Sequence, residues 1–451
     1  MPEPPEKQPV RRSLSPSRQR LFRILALLLG LVGALLVAEI GMRAYLAYMF
    51  RGRIEQLSRD LPADPRKEVK LGDLVYPVPN DDIVYRLKPN ARGVFRGAPV
   101  RINSLGYHDN EFQEEKPSDG FRVLVLGDSN SFNWGVLLEE GYVQVLEGAM
   151  QRIVEDKAHV EVINTGVPGY NAVMEVATFF EYGVKYDPDI VIIQYSMNDN
   201  ILPDFLQENN YGTRFDKLFL FDPESLSYVM SGFQSELDLN SMRIKFDFHP
   251  EEPLIQDPDT IPDRYRHHVG PEATRGAYGR LAAACREKGI PLYCLLPPEM
   301  LWEKEKTWEK DIRYEQIRGF CKEFDIPLID PFQRVRTYVL DHGLTSNDMA
   351  LYPPYDWHPN PLRHALTAEG CLVVLFPHLE KYGVTQADLY AELERLSILT
   401  AVLTEKHIEM RSEIYRNPPP MPPDFGDATQ NALPPRWERS PESTSASSSQ
   451  P

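Results

Sequence analysis

Phe121-Arg-Val-Leu-Val-Leu-Gly-Asp-Ser-Asn-Ser-Phe-Asn133 is the stretch on which the reading of this 451-residue chain turns. Arg122 to Leu126 is a short run rich in β-branched residues and leucine that stops abruptly at Gly127-Asp128-Ser129. A near-continuous apolar run fits a strand buried on both faces, as in a parallel sheet covered by helices. Ligands of such sheets bind at the carboxyl ends of the strands, and a serine stands there. On a tight turn beside a helix N-terminus rich in free N–H groups, that serine is placed to act as a nucleophile. The same residues would also suit an Asx turn or a helix N-cap, so the motif alone does not decide.

Outward from this stretch the chain alternates strand-like and helix-like segments. Strands are expected at 122–126, 160–164, 190–195, 291–296 and 326–330, with helices near 142–155, 172–185, 272–288 and 314–324. That alternation implies right-handed crossovers and a parallel sheet. Residues 201–270 interrupt it without a strong period and contain Pro253, Pro258 and Pro262. An unstructured loop of that length is rare inside a compact domain, so a helical insert or lid is expected. One more helix should follow Ala365, and a C-terminal helix should fill 385–416.

The flanks differ in character. Residues 1–20 and 417–451 are rich in Pro, Ser and charge and read as disordered tails. The uncharged run from Ile24 to Ala38, followed by Tyr45, Tyr48 and Phe50, reads as a transmembrane signal anchor over 21–50. No small-x-small cleavage site is evident, which favours an uncleaved anchor over a signal peptide. Lys7, Arg11, Arg12, Arg18, Arg20 and Arg23 precede it, against Arg51, Arg53 and Arg59 after it. The bias puts the N-terminus in the cytoplasm and the remainder on the extracytoplasmic side, periplasmic or at the cell surface. Residues 51–118 read as a linker and a small β-rich apron, with the main domain at 119–384.

A net charge of −17 with no large basic block argues against a nucleic-acid partner. The four cysteines, Cys285, Cys294, Cys321 and Cys371, lack C-x-x-C spacing and sit in apolar contexts, so buried free thiols are expected. No metal and no cofactor are implied.

Polar residues gather at three strand ends: Gly127-Asp128-Ser129, Asn164-Thr-Gly-Val-Pro-Gly169 and Asn198-Asp199. A fourth cluster, Tyr355-Asp-Trp-His-Pro-Asn360, comes just before the last core helix. This set resembles the SGNH (GDSL-type) hydrolase and acyltransferase superfamily over roughly residues 82–382, with the 201–270 insert unmatched. It looks most like the membrane-anchored bacterial branch. The resemblance implies a flavodoxin-like three-layer sandwich whose five parallel strands run in the order 2-1-3-4-5. It makes Ser129 the nucleophile, His358 the general base and Asp356 the acid that orients it. It also assigns an oxyanion hole to the Ser129 and Gly169 N–H groups and the Asn198 side chain, with Asp128 and Asp199 in supporting places. One departure stands out: the family's usual Asp-x-x-His is here Asp356-Trp357-His358, one residue closer. His364 reads as a packing residue, and His108, His159, His267, His268 and His342 as ordinary ones.

The resulting expectation is a membrane-anchored serine esterase acting on O-acyl esters, O-acetyl groups among them, with a glycan as one candidate substrate. Acyl transfer to an exported polysaccharide by the same triad is the alternative, and glycan binding without catalysis a third. The Gly-x-Ser-x-Gly elbow of α/β-hydrolases is absent, as is any phosphate-binding G-x-x-x-x-G-K-[ST]. Oligomeric state is not legible.

Overall fold

The computed structural model describes residues 15–59, 61, 64, 66–78, 80–202, 263–298, 312–352 and 356–416. Residues 203–262 of the expected 201–270 insert, residues 1–14 of the expected N-terminal tail and the tail at 417–451 lie outside the described residues.

Helix α1 (Pro16–Arg59) starts inside the stretch expected to be disordered. Proline suits the first helical position because its missing N–H is not needed there. The part from Pro16 to Met42, 27 residues, is long and apolar enough to cross a membrane. At about 1.5 Å per residue it measures about 40 Å, more than the ~30 Å hydrocarbon layer. Leu27, Leu29 and Val37 are exposed along it.

Two small antiparallel ribbons follow. After the single turn α2 (Leu71–Leu74), β1 (Val75–Pro77) pairs with β2 (Tyr85–Leu87). Next, β3 (Arg92–Phe95) pairs with β4 (Ala98–Arg101). They enclose a core of their own in which Tyr85, Phe95 and Ile102 meet Phe132, Trp134, Val167 and Tyr170. The last four belong to loops of the main sheet, so the apron packs on the edge where polar strand ends gather.

The main sheet contains β5 (Gly120–Leu126), β6 (His159–Asn164), β7 (Ile190–Gln194), β8 (Leu292–Leu295) and β9 (Leu328–Ile329). It is parallel throughout, in the order β6-β5-β7-β8-β9, which is the expected 2-1-3-4-5. The interior strand β5 shows why. Phe121, Val123 and Val125 face one apolar core with α3 (Tyr142–Val154), α8 (Pro361–Leu375) and α9 (Gln386–Arg416). Leu124 and Leu126 face a second core with α4 (Ala172–Glu181), α5 (Pro271–Lys288) and α6 (Ile312–Glu323). Successive side chains point to opposite faces, so a run without polar interruption fills both layers.

Arg122 is the exception in that run, and it is fully buried. Its Nε donates to Glu161 at 2.6 Å, and its other nitrogens donate to the carbonyls of Gln113, Glu114, Glu115 and Tyr186. Two further elements have no counterpart in the expectations from sequence. Helix α7 (Phe332–Asp341) and the hairpin of β10 (Ala350–Tyr352) with β11 (Asp356–Pro359) occupy the stretch before α8. All four cysteines are buried free thiols.

Candidate active site

Strand β5 ends in a tight reversal rather than a helix. The Phe132 N–H donates to the Asp128 carbonyl (2.9 Å) and the Trp134 N–H to the Ser129 carbonyl (3.3 Å). Helix α3 begins only at Tyr142, so the N-terminus expected beside Ser129 is replaced by this turn. Gly127 allows the reversal, since a Cβ there would lie 2.2 Å from Ser131 Oγ. Asp128 is buried, and its Oδ1 accepts from the Asn130 N–H (2.9 Å) and from Gln194 Nε2 (3.2 Å). Gln194 closes an otherwise apolar strand; its Oε1 accepts from Ser131 Oγ, which also meets Tyr142 Oη, each at 2.6 Å.

The loop after β6 is tied to this turn. Asn164 Nδ2 donates to the Ser131 carbonyl (2.6 Å), and the Val167 N–H to the Gly127 carbonyl (3.2 Å). Gly169 has φ +80°, a left-handed conformation that glycine adopts without strain. The apron holds the loop from outside: Tyr85 Oη donates to the Pro168 carbonyl at 2.7 Å, and Tyr170 Oη donates to the Tyr85 carbonyl. After β7, Asn198 Nδ2 donates to the Tyr170 carbonyl at 2.8 Å, leaving one amide hydrogen for another acceptor. Neither the Ser129 N–H nor the Gly169 N–H donates to an acceptor among the described residues.

The remaining pair arrives on β11. Residues two apart on a strand share a face, so Asp356-x-His358 presents both side chains to the same side. This explains the shortened spacing: a strand does with one intervening residue what a turn does with two. His358 Nδ1 lies 2.7 Å from Asp356 Oδ1, and His358 Nε2 lies 2.8 Å from Ser129 Oγ. Asp356 Oδ1 also accepts the His358 backbone N–H (3.1 Å), and Oδ2 accepts the Trp134 indole N–H (3.0 Å). Burial pushes the Asp356 carboxyl up, but the His358 charge and these hydrogen bonds outweigh it and hold it below its ordinary value. It is therefore an anion and an acceptor, which directs the Nδ1 proton of His358 to it and frees Nε2 to accept the serine hydroxyl.

Behind the loops sits a buried acidic layer. Asp199 is fully buried, and its backbone carbonyl accepts from Thr274 Oγ1 at 3.0 Å. Burial, together with the charges of Asp199 and Asp128, drives the Glu175 carboxyl well above its ordinary value. His364 is buried below α3: the Tyr142 N–H donates to its Nδ1 at 3.2 Å, and burial lowers its pKa to about 3. It is a neutral packing ring, as its place in the sequence suggests. His108 is likewise buried, with Nδ1 2.6 Å from the Phe132 carbonyl.

Sequence reasoning missed two residues of the site. Gln194 carried a signal, as the only polar residue of its strand. Trp134 carried none, because nothing local shows that a tryptophan five residues past the serine reaches a strand more than two hundred residues away. Sequence also did not bring Asp82 to the His267–His268 pair, although their potential ligand atoms lie within 4.8 Å of one another. His267 Nε2 bonds Asp82 (2.7 Å) and His268 Nε2 bonds the Asp81 carbonyl (2.7 Å), which ties the apron to the last residues of the expected 201–270 insert.

A family model described as GDSL-like Lipase/Acylhydrolase family matches residues 125–366. No curated protein matches the chain. Among solved structures, one similar chain is a putative lipolytic protein of the G-D-S-L family from Desulfitobacterium hafniense DCB-2. It is 14% identical, covers 56% of this chain and 99% of its own, and has a TM-score of 0.32. Another is the acetyl xylan esterase AlAXEase, 14% identical, with 56% and 100% covered and a TM-score of 0.35. A third is a catalytic mutant of an acetylxylan esterase from Geobacillus stearothermophilus, 16% identical, with 57% and 95% covered and a TM-score of 0.34.

Proposed function

The chain belongs to the GDSL-like lipase/acylhydrolase family of ester-hydrolysing enzymes, and from that we propose a membrane-tethered serine esterase with Ser129, His358 and Asp356 as its triad. The observation that carries this reading is the continuous hydrogen-bonded line from Asp356 through His358 to Ser129, 2.7 and 2.8 Å per step. His358 Nε2 takes the Ser129 proton as Oγ attacks the ester carbonyl carbon, and Asp356 stabilises the imidazolium that forms. The tetrahedral oxyanion is held by the Ser129 and Gly169 N–H groups and the Asn198 amide. His358 then returns the proton to the departing alkoxide, and water resolves the acyl-enzyme by the same steps in reverse order. The Ser129 and Gly169 N–H groups, which meet no acceptor among the described residues, support this, since donors already spent elsewhere could not act. One such donor is worth about 3 kcal/mol of barrier.

Helix α1 is the tether. The basic residues before its uncharged run from Ile24 to Ala38 support a cytoplasmic N-terminus and an extracytoplasmic site, where O-acyl groups of exported glycans would be met. The test is hydrolysis of a short-chain aryl ester by the full chain in detergent. Ser129→Ala should fold normally by circular dichroism and lose at least about a thousandfold in kcat. Unchanged turnover in a folded variant would remove Ser129 from the reaction.

A further inference from the structure

We propose that Trp134 is the positioning residue of this site, holding His358 by its ring face and Asp356 by its indole N–H, and that the apron sets where Trp134 stands. The inference rests on the triad reading above and goes beyond it by adding a fourth side chain and a second structural layer.

The rings of Trp134 and His358 are stacked, with centroids 4.5 Å apart and planes 13° from parallel. The same indole donates to Asp356 Oδ2 at 3.0 Å. One rigid side chain thus touches both partners of the pair, and Trp134 is only 8% exposed. An aromatic face favours a cation, so the stack stabilises the imidazolium that His358 becomes when it removes the serine proton. The indole N–H occupies the carboxylate oxygen that His358 does not use, which stops the Asp356 carboxylate from turning away.

Trp134 is itself held from the apron. The Phe95 ring meets it edge to face at 4.8 Å, and the Arg96 guanidinium lies 5.1 Å from its ring centre. Both residues stand at the β3–β4 turn. The next residue, Gly135 (φ +70°), passes so close to the β10 strand that a Cβ would lie 2.4 Å from Leu351. The Trp134–Gly135 corner is therefore wedged between the apron hairpin and the hairpin that carries Asp356 and His358. A role in fold stability alone would explain burial, but not why the polar end of the indole meets the triad acid and its face meets the triad base.

The experiment compares wild type, Trp134→Ala, Trp134→Phe and Arg96→Met as full chains in detergent, with pH profiles of kcat and KM on a short-chain aryl ester and Ser129→Ala as control. Trp134→Ala should lower kcat roughly ten- to a hundredfold with KM within about twofold. Its acid limb should fall by about half a pH unit, because the stack no longer favours the imidazolium. Trp134→Phe keeps a ring and loses the donor, so its kcat should lie between the two. Arg96→Met should move kcat in the same direction by a smaller factor. Should Trp134→Ala fail to fold, the folded Phe and Arg96 variants decide by the same two readouts. If Ser129→Ala is inactive while the folded Trp134 variants keep the wild-type kcat and pH profile, this proposal alone is overturned. If Ser129→Ala remains active, the triad reading fails first.

Discussion

At the scale of single residues, the site is organised by which polar atoms are already committed. Asp128 and Asn164 use their side chains to brace the turn and the neighbouring loop, whereas the Ser129 and Gly169 N–H groups and one Asn198 amide hydrogen meet no acceptor among the described residues. Glu175 is of a third kind: neither carboxyl oxygen has a hydrogen-bond partner among the described residues, and its pKa lies well above 4.5. The folded chain then keeps a proton that the unfolded chain releases once pH exceeds the ordinary glutamate value. The unfolded state binds fewer protons there, so this group makes stability fall as pH rises. Glu175→Gln, neutral at every pH, removes that penalty. Its melting temperature should gain on wild type as pH rises above the ordinary glutamate range; a gap that is constant with pH would show that Glu175 is already ionised in the folded protein.

At the scale of elements, the strand ends are aligned by a few polar anchors inside apolar runs. Arg122 is one of these, tying β5 to the 113–115 segment and adding a buried ion pair with Glu161 to the β5–β6 ladder. Removing one partner of a buried pair leaves an uncompensated charge, at a cost of about 3–5 kcal/mol. Arg122→Ala should lower the denaturation midpoint accordingly, and an unchanged midpoint would mean that Glu161 finds another partner. Strand β11 illustrates the reverse dependence. Its two-residue period brings Asp356 and His358 to one face, and Asn360 then caps α8 through the Arg363 N–H at 3.0 Å. Strand, cap and helix follow within a few residues, which fixes where His358 stands by local geometry.

At the scale of the whole molecule, helix α1 and the catalytic domain have opposite solvent requirements. The segment from Pro16 to Met42 leaves large apolar side chains exposed, whereas the apolar residues of the sheet are buried on both faces. A chain built this way should stay with the membrane fraction through high salt and alkaline carbonate and be released by detergent. Recovery in the carbonate supernatant would mean that α1 is removed or lies along the surface. A formal net charge of −17 for the whole chain gives it no overall electrostatic attraction to anionic lipid.

Much of this molecule is legible in its amino-acid sequence. The largely apolar strands and their alternation with helical segments point to a parallel sheet, because burial on two faces admits little polar alternation, whereas the strand order came from the family resemblance. The four blocks, including Asp356 and His358, are recognisable as motifs because each is a contiguous run of residues. Tertiary structure alone decided what depends on contact between distant segments. The β10–β11 hairpin turns a shortened motif into a shared face. Gln194 and Ser131 form the network under Asp128, and Trp134 joins the apron to a histidine 224 positions along the chain. Periodicity records the environment that each residue requires, but not which distant residue supplies it.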